Sequence, residues 1–309
     1  MLAHHDDRGG RMVIVFGSIN LDITVPVARA PSAGETVLGG AAVQGGGGKG
    51  ANQAHAARRA GADVHLFGAV GADPLAAAAL AQLERSGVAL HVRPVPGQAT
   101  GMALITLEES GENRIVVAPG ANFAARATDV DNALLGPDTI VLLQLEVPLH
   151  ETHELAARAW RAGCRVMLNA SPLRPDALPD LAFLDTVIVN ALELAQLTGE
   201  SGAPLQVALE LARVRNIDVL LTQGAAGAVL ARPDSSHVAV PGYPVTAVDT
   251  TGAGDTFAGV YAAACAAGAS AEVALRRANA AAALCCTGLG VQGAQPDSAA
   301  IDIFLENHA

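Results

Sequence analysis

Residues 12–16 form an uninterrupted apolar, β-branched run that stops at Gly17, the pattern of a strand buried on both faces of a parallel sheet. Similar short runs recur at 64–70, 140–145, 166–169, 186–189 and 219–222. Between them the apolar spacing changes to the helical period over 50–60, 149–162, 191–198 and 204–215. Asp73 and Pro74 supply an N-cap and a first-turn proline to a further helix that closes at Gly87. Regular alternation of strand and helix predicts an α/β fold with a doubly wound parallel sheet. After Asp255 the chain becomes alanine-rich helix, over 255–267 and 271–286.

One group of segments breaks the alternation. Stretches 36–43, 102–107 and 114–117 are strand-like and bounded by Gly, Asn and Pro, and no helical period separates the last two. Gly111-Glu112-Asn113 reads as their hairpin turn. They predict a small β-sheet lid, over 25–49 and 96–119, beside a main domain built from 1–24, 50–95 and 120–309.

Composition narrows the partners. The chain has 309 residues, 51% of them hydrophobic, enough for a sizeable core. A net charge of -11 argues against nucleic acid or an anionic membrane as partner, since both require a basic surface. Residues 1–11 lack the apolar stretch of a signal peptide, and no run reaches the length of a membrane span. Cys164, Cys265, Cys285 and Cys286 show no zinc or disulfide spacing, so reduced thiols in a cytoplasmic protein are expected. Of 19 basic residues only Lys49 is a lysine, and it stands inside a glycine run, which points to a compact charge in a tight backbone site.

Polar residues collect where predicted strands end, the side on which open α/β sheets bind ligands. Asn20 and Asp22, two apart after strand 12–16, suit a pair of vicinal hydroxyls or ordinary turn capping. Glu146 stands in the same relation to strand 140–145, next to a Pro148 that suits a helix start. Asn190 and Glu193 have the spacing to hold phosphate or magnesium-bound water, or to close a capping box. The turn Thr222-Gln223-Gly224-Ala225-Ala226-Gly227 lies against a nucleotide's phosphates or simply joins two strands. Gly45-Gly46-Gly47-Gly48-Lys49-Gly50 opens a helix and lets backbone amides approach an anion. It is no Walker loop, and its fit to a dinucleotide fingerprint lacks the acidic residue after the next strand, because Asp63 precedes that strand. The most specific run is Ala247-Val248-Asp249-Thr250-Thr251-Gly252-Ala253-Gly254-Asp255-Thr256-Phe257. Gly252, Ala253 and Gly254 offer successive amides to developing negative charge, and Asp255 stands in the first helical turn, placed to accept a hydroxyl proton.

With Gly17-Ser18-Ile19-Asn20-Leu21-Asp22, Gly47-Gly48-Lys49-Gly50-Ala51-Asn52-Gln53-Ala54, Gln144-Leu145-Glu146 and Gly293-Ala294-Gln295-Pro296, that run makes the chain resemble the ribokinase-like sugar and nucleoside kinase superfamily. The likeness extends over about 12–305, and Asn20, Asp22, Asn52 and Glu146 narrow it towards the ribokinase family. The resemblance implies an ATP-dependent kinase for a pentose, D-ribose before deoxyribose, fructose or a nucleoside. Asp255 would be the base and the Gly252 to Gly254 amides the anion hole. Asn20, Asp22, Gly48, Lys49, Asn52, Glu146 and Asp255 would hold the sugar. ATP, with Mg2+ bridging its phosphates, would lie along Asn190, Glu193, Thr222, Gly224, Gly227, Gly254 and Asn279. A potassium ion (K+) would sit near Asp249 and Thr251, with the 285–297 region supplying Cys285, Val291, Gly293 and Asp297. A homodimer paired through the lid strands is also expected. A non-catalytic sugar or nucleotide sensor is the reading from another class, and Asp255 with every anion-hole glycine argues against it. Two departures stand out: segment 288–292 is about three residues longer than usual, and Asn279 replaces a common histidine.

Overall fold

The computed structural model describes residues 11–108, 113–174 and 176–308. In chain order its strands and helices are β1 (Met12–Phe16), β2 (Asn20–Val27), β3 (Val43–Gly47), α1 (Lys49–Arg59), β4 (Val64–Gly71), α2 (Pro74–Ser86), β5 (Ala89–Val95), β6 (Gly101–Glu108) and β7 (Asn113–Ala118). There follow β8 (Thr139–Leu143), α3 (Leu149–Arg161), β9 (Arg165–Asn169), β10 (Thr186–Asn190), α4 (Ala191–Thr198), α5 (Pro204–Arg215), β11 (Asp218–Thr222), β12 (Ala228–Ala231) and β13 (His237–Val240). Three helices close the chain: α6 (Ala253–Ala266), α7 (Ala271–Cys285) and α8 (Ser298–Glu306).

The main sheet runs β13-β12-β11-β10-β9-β8-β1-β4-β5. It is parallel from β5 to β11, and only β12 and β13 pair antiparallel. Helices cover both faces, so the strands are apolar throughout. Successive residues of β1 alternate between the two cores: Val13 and Val15 face the α1, α6 and α7 side, Ile14 and Phe16 the α3 and α5 side. The chain leaves β1 first towards β4 and β5, then restarts on the other flank with β8. The strand order therefore reverses between β1 and β8, and their carboxyl ends flank the crevice where such sheets take ligands. Asp73 caps α2 by accepting from the amides of Leu75 and Ala76, and Gly87 ends it at φ 79°, both as the sequence predicts.

The lid is a four-stranded sheet, β3-β2-β6-β7. Two expectations need correction. Residues 36–42 form no strand; the pairing is taken up by β3, because Gly39-Gly40-Ala41-Ala42 offers almost no side chain to pack on a sheet face. Asn20 and Asp22 do follow β1 in extended backbone, but that backbone is already strand β2, so the boundary placed at 24/25 falls inside a lid strand. Pro26 hides that strand in the sequence. It is tolerated because β3 pairs only as far as Thr24, which leaves Pro26 with a ladder partner on one side alone. The predicted turn at Gly111-Glu112 and most of the 1–11 segment lie outside the described residues.

Candidate active site

The crevice is built first by backbone. Gly48, at φ 87°, precedes α1, and a Cβ there would approach Ser18 O at 2.8 Å and Asn20 N at 2.9 Å, so only glycine lets the β3–α1 turn close on the β1–β2 link. No side chain of the turn caps α1. Glu146 takes that place from beyond β8: its Oε2 accepts from the Lys49 amide at 3.1 Å and from Ser18 Oγ at 2.5 Å, putting a carboxylate at the positive end of the helix. Burial alone would lower the Lys49 ammonium, but Asp255, Glu146 and Glu193 outweigh it and hold it above its ordinary value.

Asn20 is buried, and its Oδ1 accepts from Asn122 Nδ2 at 2.7 Å, while Asn122 Oδ1 accepts from the Ile19 amide at 2.8 Å. Asp22 faces Gly45 across the β2–β3 ladder. Its buried Oδ1 has no hydrogen-bond partner. Burial, and then the nearby charges of Glu146 and Asp255, raise its carboxyl from 3.8 to about 7.

Asp255 is buried in the first turn of α6. Asn52 Nδ2 donates to its Oδ2 at 3.1 Å and Gln53 Nε2 to its Oδ1 at 2.9 Å. Gly252, at φ 75°, precedes the helix, and any Cβ on it would collide with Val291. At Gly254 a Cβ would meet nothing within 4 Å, so the helix start is open on that side, while the Ala253 amide donates to the Thr250 carbonyl at 3.3 Å. Ala253 and Gly254 line a cavity of about 340 Å³ together with Thr222, Gly224, Gly227 and Asn279. Its remaining wall is largely apolar, with Tyr243, Val245, Phe257 and Ala282. Asn279 faces that cavity while its Nδ2 donates to the carbonyls of Val240 and Pro241 at 3.2 Å. Asn190 and Glu193 do not line it. They form the capping box of α4, and Asn190 is the sheet neighbour of Thr222.

Asp249, Thr251, Val291 and Gly293 line a second cavity of about 340 Å³, which Asp22 also borders. Asp249 is buried, accepting from the amides of Thr251 at 2.9 Å and Gly290 at 3.2 Å. Among the described residues no basic side chain lies within ion-pair distance of it. The other two residues expected there, Asp297 and Cys285, do not line this cavity. Asp297 caps α8 through the Ala300 amide and pairs with Arg59 at 3.5 Å, which gives it a countercharge within the chain. Cys285 is buried in α7 with its thiol pushed up to about 11 by burial, and its carbonyl accepts from the Gly288 amide at 3.3 Å. The lengthened 288–292 segment turns inward: Gln292 Nε2 donates to Asn52 Oδ1 at 3.3 Å.

Several residues of the site are silent in the sequence. Asn122, Asn169 and Gln292 are isolated amides, and Gln53, Gln144 and Gln295 stand out only as parts of longer runs; none has a spacing that marks chemistry.

The profile of the pfkB family of carbohydrate kinases matches residues 11–298. A ribokinase of Bacillus subtilis (strain 168) is 37% identical over 298 residues, covering 96% of this chain and 99% of that protein. A deoxyribokinase of Salmonella typhi is 32% identical over 301 residues, covering 95% and 98%. The solved structure of Arabidopsis thaliana ribokinase complexed with ribose and ATP superposes with a TM-score of 0.86 at 32% identity, covering 96% of this chain and 99% of that one. The chain belongs to the pfkB carbohydrate kinases, which are phosphotransferases. Within them its place is the ribokinase family.

Proposed function

We propose that this chain transfers the γ-phosphoryl group of ATP to a pentose, D-ribose first, at its terminal 5-hydroxyl. The observation that carries the reading is a junction. Gly254 lines the nucleotide-sized cavity, and the next residue, Asp255, is tied to Asn52 on the helix that Lys49 and Glu146 open. Phosphoryl donor and acceptor would thus meet at two consecutive residues.

In this reading Asn20, Asp22, Gly48, Lys49, Asn52 and Glu146 grip the sugar. The unpartnered Asp22 Oδ1 supports that role, since a buried acceptor without a donor is what a hydroxyl would satisfy. The 5-oxygen attacks the γ-phosphorus and its proton passes to Asp255. The bond from that phosphorus to the β,γ-bridging oxygen breaks, and ADP leaves with the electron pair. Amides of Gly252, Ala253 and Gly254 and the Lys49 ammonium stabilise the charge that develops on the transferred group. Thr222, Gly224, Gly227 and Asn279 hold the nucleotide, with Asn190 and Glu193 at the adjoining strand end. Magnesium would arrive with the ATP phosphates and neutralise their charge.

Potassium fits Asp249, a buried carboxylate with no basic partner among the described residues, helped by Thr251, Val291 and Gly293. It would tune the anion hole from behind. Initial velocities should be higher in potassium than in sodium or a bulky organic cation at equal ionic strength; equal velocities in all three would exclude a role for the ion. The four free cysteines suit a reducing, cytoplasmic setting.

The substrate is tested by a panel of ribose, deoxyribose, fructose and nucleosides with magnesium-ATP, following ADP release. Ribose should give the highest kcat/KM. Deoxyribose is the runner-up because of the likeness to the Salmonella typhi protein, and a higher kcat/KM for it would reassign the substrate.

A further inference from the structure

Gln53 makes no contact that the phosphoryl transfer itself requires, yet it is fully buried and all its amide groups are engaged. Its Nε2 donates to Asp255 Oδ1 at 2.9 Å and to Asn169 Oδ1 at 3.0 Å, and its Oε1 accepts from Gln144 Nε2 at 2.7 Å. We infer that Gln53 is a positioning residue for the base Asp255, oriented in turn by Gln144 and Asn169. The inference rests on Asp255 acting as base in the proposed reaction.

The geometry supports it from several sides. Asn52 and Gln53 are consecutive, so on α1 their side chains leave the axis about 100° apart. Both reach one carboxylate because α6 lies very close to α1. Gly259, one turn after Asp255, makes that approach: a Cβ there would collide with the Gln53 carbonyl and come within 2.8 Å of Ala56 Cβ. The carboxylate is consequently held at both oxygens, from two directions, and cannot rotate without breaking a hydrogen bond. One lone-pair site on each oxygen stays free to take a proton. Asn52 stands on the side expected to meet the sugar, whereas Gln53 stands behind.

Orientation of the Gln53 amide is fixed by its neighbours. Gln144 presents a donor, so Gln53 must turn its oxygen to Gln144 and its nitrogen to Asp255 and Asn169. Gln144 Oε1 itself is buried without a partner, packed where a Cβ on Gly17 would stand. A buried unpaired acceptor opposes folding, and here it accompanies an arrangement in which Gln144 donates to Gln53 and Gln53 donates to the base. Asn169 completes the line by donating to the Ile188 carbonyl at 3.4 Å. A neutral amide also suits this role, because it fixes direction without a full positive charge, which would oppose proton uptake by the carboxylate.

The test is Gln53→Met, close in size and unable to hydrogen-bond, alone and combined with Asp255→Asn. In the otherwise native enzyme kcat should fall about 10²-fold, the scale of a misplaced reacting group, with KM for sugar and ATP within about threefold. In the Asp255→Asn background the same substitution should cost no further activity, because it acts only through the base. An unchanged kcat, a rise confined to KM, or an equal loss in both backgrounds would overturn the proposal, the last showing a merely structural role. Should Gln53→Met fail to fold, Gln144→Met leaves Gln53 and Asp255 in place and frees only the amide's orientation. Its kcat should fall about tenfold, again with no added loss in the Asp255→Asn background. Failure of the functional reading shows itself separately, as native and Asp255→Asn proteins with equal turnover, and would remove the base together with its positioning residue.

Discussion

Asp22 is a carboxylate whose surroundings move its titration into the neutral range. Its carboxyl is raised to about 7 by burial and by the neighbouring Glu146 and Asp255. Between pH of about 4 and about 7 the folded protein therefore holds a proton there that the unfolded chain releases, and sugar-free stability falls as pH rises through that window. Sugar hydroxyls donate best to the ionised form, so KM for the sugar should fall about tenfold from pH 6 to pH 8. Asp22→Asn should flatten that dependence and raise the melting temperature of the sugar-free protein at pH 8; a pH-independent KM in the native enzyme would contradict the assignment. At this scale the sequence is informative where residues cluster in runs. Asp255, Lys49 and Asn52 are visible because their neighbours are glycines at helix starts. Gln53 and Asn122 are not, since a single amide gains its meaning from partners about a hundred or more positions away, such as Ile19 for Asn122 and Asp255 for Gln53. The partner of Asp297 is hidden for the same reason: Arg59 is remote in the chain.

Among elements, α1 and α6 decide the site, because their N-termini bring Lys49, Asn52 and Gln53 to Asp255. Their contact depends on Gly259, where added volume has nowhere to go. Gly259→Ala should destabilise the fold by about 1–3 kcal/mol through overpacking and lower kcat by shifting Asp255. Urea denaturation and steady-state kinetics check this, and wild-type values for both would show that the helices can part harmlessly. The helices and the parallel strands are legible because each repeats one apolar pattern bounded by caps, as at Asp73 and Gly87. Lid strands are less so. β2 contains Pro26, and β3 is mostly glycine, so neither carries the alternating pattern that marks a half-buried strand.

For the whole molecule, the reversal of strand order between β1 and β8 sets the crevice, and the lid extends directly from β1 through β2 to cover it. The lid's exposed strands carry Leu104, Ile115, Val116 and Val117, which are 50%, 45%, 67% and 42% exposed. Leu104 and Val116, directly opposite in the β6–β7 ladder, share one face, and Ile115 and Val117 lie on the other; exposed apolar side chains on both faces with open edges β3 and β7 are a liability for a lone subunit. We expect a homodimer paired through the lids, seen as twice the 31.1 kDa chain mass by light scattering at micromolar protein; a single-chain mass would count against it. Proton transfer to Asp255 during phosphorylation of a sugar is the central claim, and the most direct measurement is phosphorus NMR of the product formed from ribose and magnesium-ATP by native and Asp255→Asn proteins. The native protein should give a phosphate ester coupled to the terminal methylene protons of the sugar, and Asp255→Asn should form it about 10² to 10⁴ times more slowly, the range of a lost general base. Inorganic phosphate without an ester, or an ester formed equally fast by both proteins, would contradict it.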